Sequence, residues 1–150
     1  MTDCALKSEL KAAQKDAMRA KDKDRLKTLR SILSAIKDVE VNERIELDDA
    51  RVIAVLDKMQ KQRNDSIAQF DAAGRDDLSE VEKKELEVIK QFLPAQLTDQ
   101  EIDQLIDQAI SETGASSMRE MGQVMGRLKP QLQGRADMAV VSKQIKAKLS

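Results

Sequence analysis

An all-α fold in two parts follows from three observations on this 150-residue chain. Aromatic residues make up 1% of it, helix-favouring Ala, Leu, Glu, Lys, Gln and Met are frequent, and only five glycines and two prolines interrupt them, a composition that favours helix throughout. Apolar residues recur at three- and four-residue spacings, the period of an amphipathic helix, in seven successive stretches. Pro94–Leu97 interrupts that rhythm. The expected organisation is therefore an N-terminal four-helix domain over residues 1–94 and a small three-helix domain over residues 95–150.

The first helix is expected from about Asp3 to Ala20, with Leu6, Leu10, Ala13 and Ala17 on one face. The second starts near Asp24 and carries Leu26, Leu29, Ile32, Leu33, Ile36 and Val39. A loop over Asn42–Leu47 precedes a long third helix capped by Asp48 or Asp49, with Val52, Val55, Leu56, Met59, Ile67 and Phe70 as its stripe. Gly74 stops it, since glycine accepts the left-handed conformation that ends helices. The fourth opens at Asp76 or Asp77, carries Leu78, Val81, Leu86, Ile89 and Phe92, and ends before Pro94. Thr98 and Glu101 have the spacing of a capping box, opening a fifth helix on Ile102, Leu105, Ile106, Ala109 and Ile110 that Gly114 ends. Ser117 and Glu120 have the same spacing and open a sixth on Met118, Met121, Val124, Met125 and Leu128, closed by Pro130 and Gly134. Asp137 caps the last, with Val140, Val141, Ile145 and Leu149.

Composition excludes several chemistries. Without histidine there is no Ser-His-Asp or Cys-His arrangement and no imidazole metal ligand. Neither GxxxxGK[ST] nor GxGxxG occurs, so no familiar phosphate-cradling loop is present. Phe70 and Phe92 are the only aromatic residues, and both fall on apolar helix faces, leaving little for base stacking. The longest apolar run, about Val52–Leu56, is far below the ~20 residues that span a bilayer. The charged start MTDCALKSELK lacks a signal-peptide block, and the single Cys4 fits a reducing compartment. The expectation is a cytoplasmic protein with no membrane span, metal or cofactor.

Some residues break the helical pattern. Arg63 falls inside the third helix's apolar stripe, and Glu85 at the centre of the fourth's. One reading pairs them as a bridge at the core edge. In the other, Arg63 lines a polar cleft whose second wall is Arg30, Ser34 and Lys37, spaced i, i+4, i+7 along the second helix. The stripe Met118, Met121, Met125 is either core or an adaptable docking groove. The run KDKDRLK, residues 21–27, alternates in sign as a solvated joint does.

Charge is segregated near the end of the chain. From Arg119 onward there are seven Lys/Arg against two acids, whereas Ala95–Met118 holds five acids and no base; the whole chain carries −1. The same basic segment has Gly122 and Gly126 within a helix, each costing roughly 1 kcal/mol relative to alanine. Close approach of another backbone is the usual reason. That backbone belongs either to a neighbouring helix or to a nucleic acid met by Arg127, Lys129 and Arg135.

Three stretches resemble the GatB/YqeY family: MRAKDKDRLKTLRSILSAIKDVEV (18–41), QRNDSIAQFDAAGRDDLSEVEKKELEVIKQFLPAQLT (62–98) and GASSMREMGQVMGRLKPQLQGRADMAVVSKQIKAKL (114–149). The resemblance implies a helical N-terminal domain followed by a small domain similar to the tail of the amidotransferase B subunit, which helps hold tRNA. The positions matching the shared tail pattern are Gly122, Val124, Met125, Gly134, Ala136, Val140, Lys146 and Leu149; Met138 departs from the glycine or proline of many relatives. No catalytic residues carry over, because the amidotransferase's chemistry lies in a separate domain without counterpart here. The leading expectation is a non-catalytic tRNA-binding or amidotransferase-associated helper, contacting phosphates through Arg127, Lys129, Arg135, Lys143 and Lys146, with Gly122 and Gly126 permitting close approach. An adaptor docking on a tRNA synthetase or amidotransferase is the alternative. The family's label of carbon–nitrogen ligase with glutamine as amide donor ranks third.

Overall fold

The computed structural model describes residues 4–150 and folds them into seven α-helices and one 3-10 turn, with no strand among the described residues. The helix start expected at Asp3 lies outside them. Residues up to Leu93 form one compact unit and residues from Pro94 another.

The first unit holds α1 (Ala5–Ala20), α2 (Lys23–Glu43), α3 (Asp49–Ala72) and α4 (Asp76–Gln91). Lys21, at φ 57°, ends α1 in the left-handed conformation, and the Asp22 side chain starts α2 by accepting from Arg25 N–H. A two-residue turn of this kind makes the helices antiparallel neighbours. Arg44, also at φ 57°, ends α2, and Asp48 caps α3 by accepting from Arg51 N–H. Between them Leu47 is fully buried, and its N–H donates to Glu40 Oε2 at 2.9 Å. Leu10, Leu29, Ile32, Ile36, Val52, Leu56 and Ile89 complete an aliphatic core.

α4 opens at Asp76, one of the two expected starts. Arg75 is the flanking residue and both acids lie in the first helical turn, where they meet the positive end of the helix dipole. Gly74 at φ 72° turns the chain back, and Arg75 N–H bonds to Phe70 C=O at 2.8 Å just before the new helix.

The second unit contains α5 (Asp99–Thr113), a 3-10 turn (Met118–Glu120), α6 (Met121–Leu132) and α7 (Met138–Leu149). The Thr98–Glu101 capping box forms in full, and Gly114 ends α5 at φ 68°. Ser117 caps no α-helix: it precedes the 3-10 turn and receives no backbone N–H. Glu120 instead accepts from Ser116 N–H at 3.3 Å, one residue before the expected cap, so the expected box does not form. Asp137 caps α7 through Ala139 N–H despite the methionine that follows it. Pro130 does not close α6, which runs on to Leu132. The ring costs a helix its i−4 hydrogen bond and crowds that carbonyl. Here the carbonyl belongs to Gly126, which is exposed, so water can take the vacated acceptor. Ile102, Ile106, Val124, Leu128, Leu132, Val141 and Ile145 form the second core.

Candidate nucleic-acid interface

Gly122, Gly126 and Lys129 lie at i, i+4 and i+7 on α6 and share one exposed face. A methyl group added at either glycine would meet nothing within 4 Å. Within the second unit, neither glycine therefore serves a neighbouring helix among the described residues. Val124, Leu128 and Leu132 bury the other side of α6, with Met121 and Met125 packed at the edge of the core and Met118 exposed. The methionine stripe is thus divided between core and surface.

The cations expected around these glycines have different fates. Lys143 and Lys146, one turn apart on α7, are exposed and, like Lys129, make no ion pair among the described residues. Arg127 Nε sits 3.4 Å from Glu112 on α5. Arg135 is structural. Its Nε donates to Ala95 C=O at 3.2 Å and its C=O accepts from Leu97 N–H at 2.9 Å, while Gln96 reaches Gly134 C=O at 2.7 Å. These bonds strap residues 95–97 onto the α6–α7 loop. Lys148 bridges Asp103 and Asp107 at 2.8 and 2.6 Å, and those carboxylates hold its pKa above the ordinary lysine value. The acidic α5 thus folds back and engages Arg127 and Lys148.

Arg63 on α3 sits 2.7 Å from Glu85 and 3.3 Å from Glu82, both on α4, with all three side chains about one-fifth exposed. Arg30, Ser34 and Lys37 are exposed on α2. Glu85 borders a recess with Asp22, Arg25, Thr28 and Val81. Lys37 borders another groove, whose opposite rim is α1. Neither recess holds both, so no single cleft unites the five residues among the described grooves.

That second groove is the feature sequence reading missed. Lys7, Lys11 and Lys15 of α1 face Lys37 of α2 across a floor of Leu33 and Ile36, and Arg44 continues the α2 rim. Glu40 is its inner acid. Lys7 Nζ at 2.6 Å and Leu47 N–H occupy it and hold its pKa below the usual carboxylate range. Lys11, Lys15, Lys37 and Arg44 have no acidic partner within 4.0 Å among the described residues. The signal was present as Lys7, Lys11 and Lys15 at i, i+4, i+8, and as Arg30, Lys37 and Arg44 at sevens. Segment-by-segment counting hides it, because the two rows meet only when α1 packs on α2.

Among the described residues no group of three or more potential ligands could hold a metal ion, and no helix is long and apolar enough to cross a membrane. Cys4 is buried and donates to Asp49 Oδ1 at 3.1 Å; burial and that carboxylate push its thiol pKa up, away from the reactive thiolate.

These features define an all-helical protein of two compact units with cationic surfaces. Residues 7–149 match the family model for YqeY-like proteins, and the chain belongs to that family. It is 45% identical over 89 residues to altered inheritance of mitochondria protein 41, mitochondrial, of Clavispora lusitaniae, a match covering 59% of this chain and 52% of that one. The counterpart of the same name in Candida glabrata is 43% identical over 86 residues, covering 56% and 47%. In Pyrenophora tritici-repentis it is 34% identical over 140 residues, covering 91% and 76%. The chain spans about half the length of the first two relatives. Their names correct the cytoplasmic expectation: sequences this similar are named as mitochondrial, so one cysteine and a charged start do not identify the compartment.

Proposed function

We propose that this chain is a non-catalytic tRNA-binding accessory protein whose α6–α7 surface contacts phosphates. The observation that carries this reading is the open face of α6. Two helical glycines, at which an added methyl would meet nothing within 4 Å, adjoin Lys129, which makes no ion pair among the described residues. Two glycines weaken a helix that also contains Pro130, so a ligand backbone approaching that face supplies the missing reason for them. Lys143 and Lys146 add exposed charge on α7. With two aromatic residues in the whole chain, recognition would rest on shape and backbone charge rather than on stacked bases.

Titration of total tRNA at several salt concentrations tests the reading. Each phosphate contact contributes roughly −0.7 to −0.9 to the log–log slope. Lys129→Gln/Lys143→Gln/Lys146→Gln should therefore flatten it by about 2. Absence of binding at low salt overturns the proposal. The adaptor reading keeps one observation in its favour, the exposed Met118 and Val140 of the same unit. A partner protein retained after nuclease treatment would favour it over tRNA.

A further inference from the structure

The geometry points to a second phosphate-binding surface, the α1–α2 groove, as an RNA-backbone track in the first unit. This rests on the tRNA reading above and adds a site that reading does not contain. Lys7, Lys11 and Lys15 climb α1 in steps of about 6 Å, four residues at ~1.5 Å each, so one rim presents cations over roughly 12 Å. The opposite rim presents Lys37 and Arg44, with Arg30 on the same row of α2 two turns earlier. The residues bordering the groove include five cations and two acids, Glu40 and Glu46, a balance of +3. Glu40 is already engaged by Lys7 and Leu47, and the other cations have no acidic partner within 4.0 Å among the described residues.

A row of flexible ammonium groups on α1 facing Lys37 and the Arg44 guanidinium suits a chain of phosphates, which lysine meets as point charges and arginine as a planar fork. An acidic amphipathic helix would also need apolar anchors. Ile36 on the floor is 1% exposed. The exposed apolar residues Val41 and Ile45 border the stretch beside Glu46, not the stretch that contains Lys15. The observations thus favour a nucleic-acid backbone over a protein helix.

Charge-neutralised full-length protein decides the matter. Lys11→Gln/Lys15→Gln/Lys37→Gln alters three exposed side chains, and glutamine preserves helix propensity; an unchanged melting curve confirms folding. Lys58→Gln/Lys84→Gln/Lys90→Gln removes the same charge from exposed positions on α3 and α4. With total tRNA, the groove variant should flatten the salt slope by about 2, while the α3–α4 variant leaves it unchanged. Equal loss in both variants, or an unchanged slope in the groove variant when the wild type binds, overturns the groove and leaves the α6–α7 reading standing. No wild-type binding at low salt overturns both. Vesicles of phosphatidylserine and phosphatidylcholine complete the test. If the groove variant loses vesicle binding and keeps its tRNA slope, the surface faces a membrane and the RNA assignment falls.

Discussion

Replacing Gly122 and Gly126 by alanine should make the protein more stable and, on the proposed function, weaken tRNA binding. Both glycines lie within α6, neither has a positive φ, and an added methyl at each would meet nothing within 4 Å. The folded state therefore resists neither substitution. What remains is the helix-propensity term, about 0.8–1.0 kcal/mol per glycine, or about 2 kcal/mol for the pair. In a domain of 60–100 residues, 1 kcal/mol moves Tm by roughly 4–8 °C. The second unit, Pro94–Ser150, is near that size, so the double variant should melt roughly 8–16 °C higher if the unit unfolds on its own, and by about half that if the chain unfolds as one. Circular dichroism at 222 nm, repeated in urea, measures the gain. Gly126 has a further constraint, standing four residues before Pro130 where the ring meets its carbonyl, so Gly126→Ala alone should gain less than Gly122→Ala. If Gly122→Ala brings no gain, the glycine answers to a contact this chain does not supply on its own, such as a second copy, and the reasoning fails. If stability rises and tRNA affinity does not fall, the glycines are not there for a phosphate backbone.

Further outcomes follow from the ion pairs and caps. Arg63→Met leaves Glu82 and Glu85 together without their cation, whereas Glu85→Gln leaves Arg63 with Glu82; urea unfolding should show a loss of about 2 kcal/mol for the first and about 1 for the second. The lowered pKa of Glu40 means that its contribution is present above the unfolded carboxylate range and disappears as pH falls through the folded value. Glu40→Gln should accordingly flatten the acid limb of a Tm–pH curve. Lys148 behaves oppositely: its raised pKa makes its contribution full below the unfolded lysine value and lost as pH rises through the folded one, so Lys148→Met should flatten the alkaline limb. Thr98→Ala removes the capping box of α5 and should cost about 1 kcal/mol in the same urea assay.

The helices were legible because period and punctuation agreed. In α5, Thr98, Glu101, the Ile102–Ile110 stripe and Gly114 all point to the same limits, and the helix spans Asp99–Thr113. Where signals conflicted, the chain followed geometry that sequence spacing does not encode. Pro130 was expected as a stop, yet α6 continues past it, because the carbonyl it deprives lies on the exposed glycine side and Leu132 beyond it is fully buried. Ser117 and Glu120 have capping-box spacing, but a 3-10 turn intervenes and Glu120 turns back to Ser116.

Charge was the hardest property to read along the chain, and the reason is physical. Ion pairing acts over about 4 Å between side chains, whatever their separation in sequence. The segment from Arg119 looked strongly basic because its acids were counted elsewhere; folding returns Glu112 to Arg127 and Asp103 and Asp107 to Lys148. The stretch from Ala5 to Arg44 looked mixed, with eleven cations and seven acids, yet packing α1 on α2 sets Lys7, Lys11 and Lys15 opposite Lys37 with Glu40 as the inner acid. Among the described residues the α1–α2 rim thus keeps Lys11, Lys15, Lys37 and Arg44 without an ion pair, and the α6–α7 surface does the same for Lys129, Lys143 and Lys146. A protein holding RNA through both units would show a salt slope near the sum of the two sets. Neutralising either set alone would then leave binding measurable at low salt, and neutralising both would abolish it.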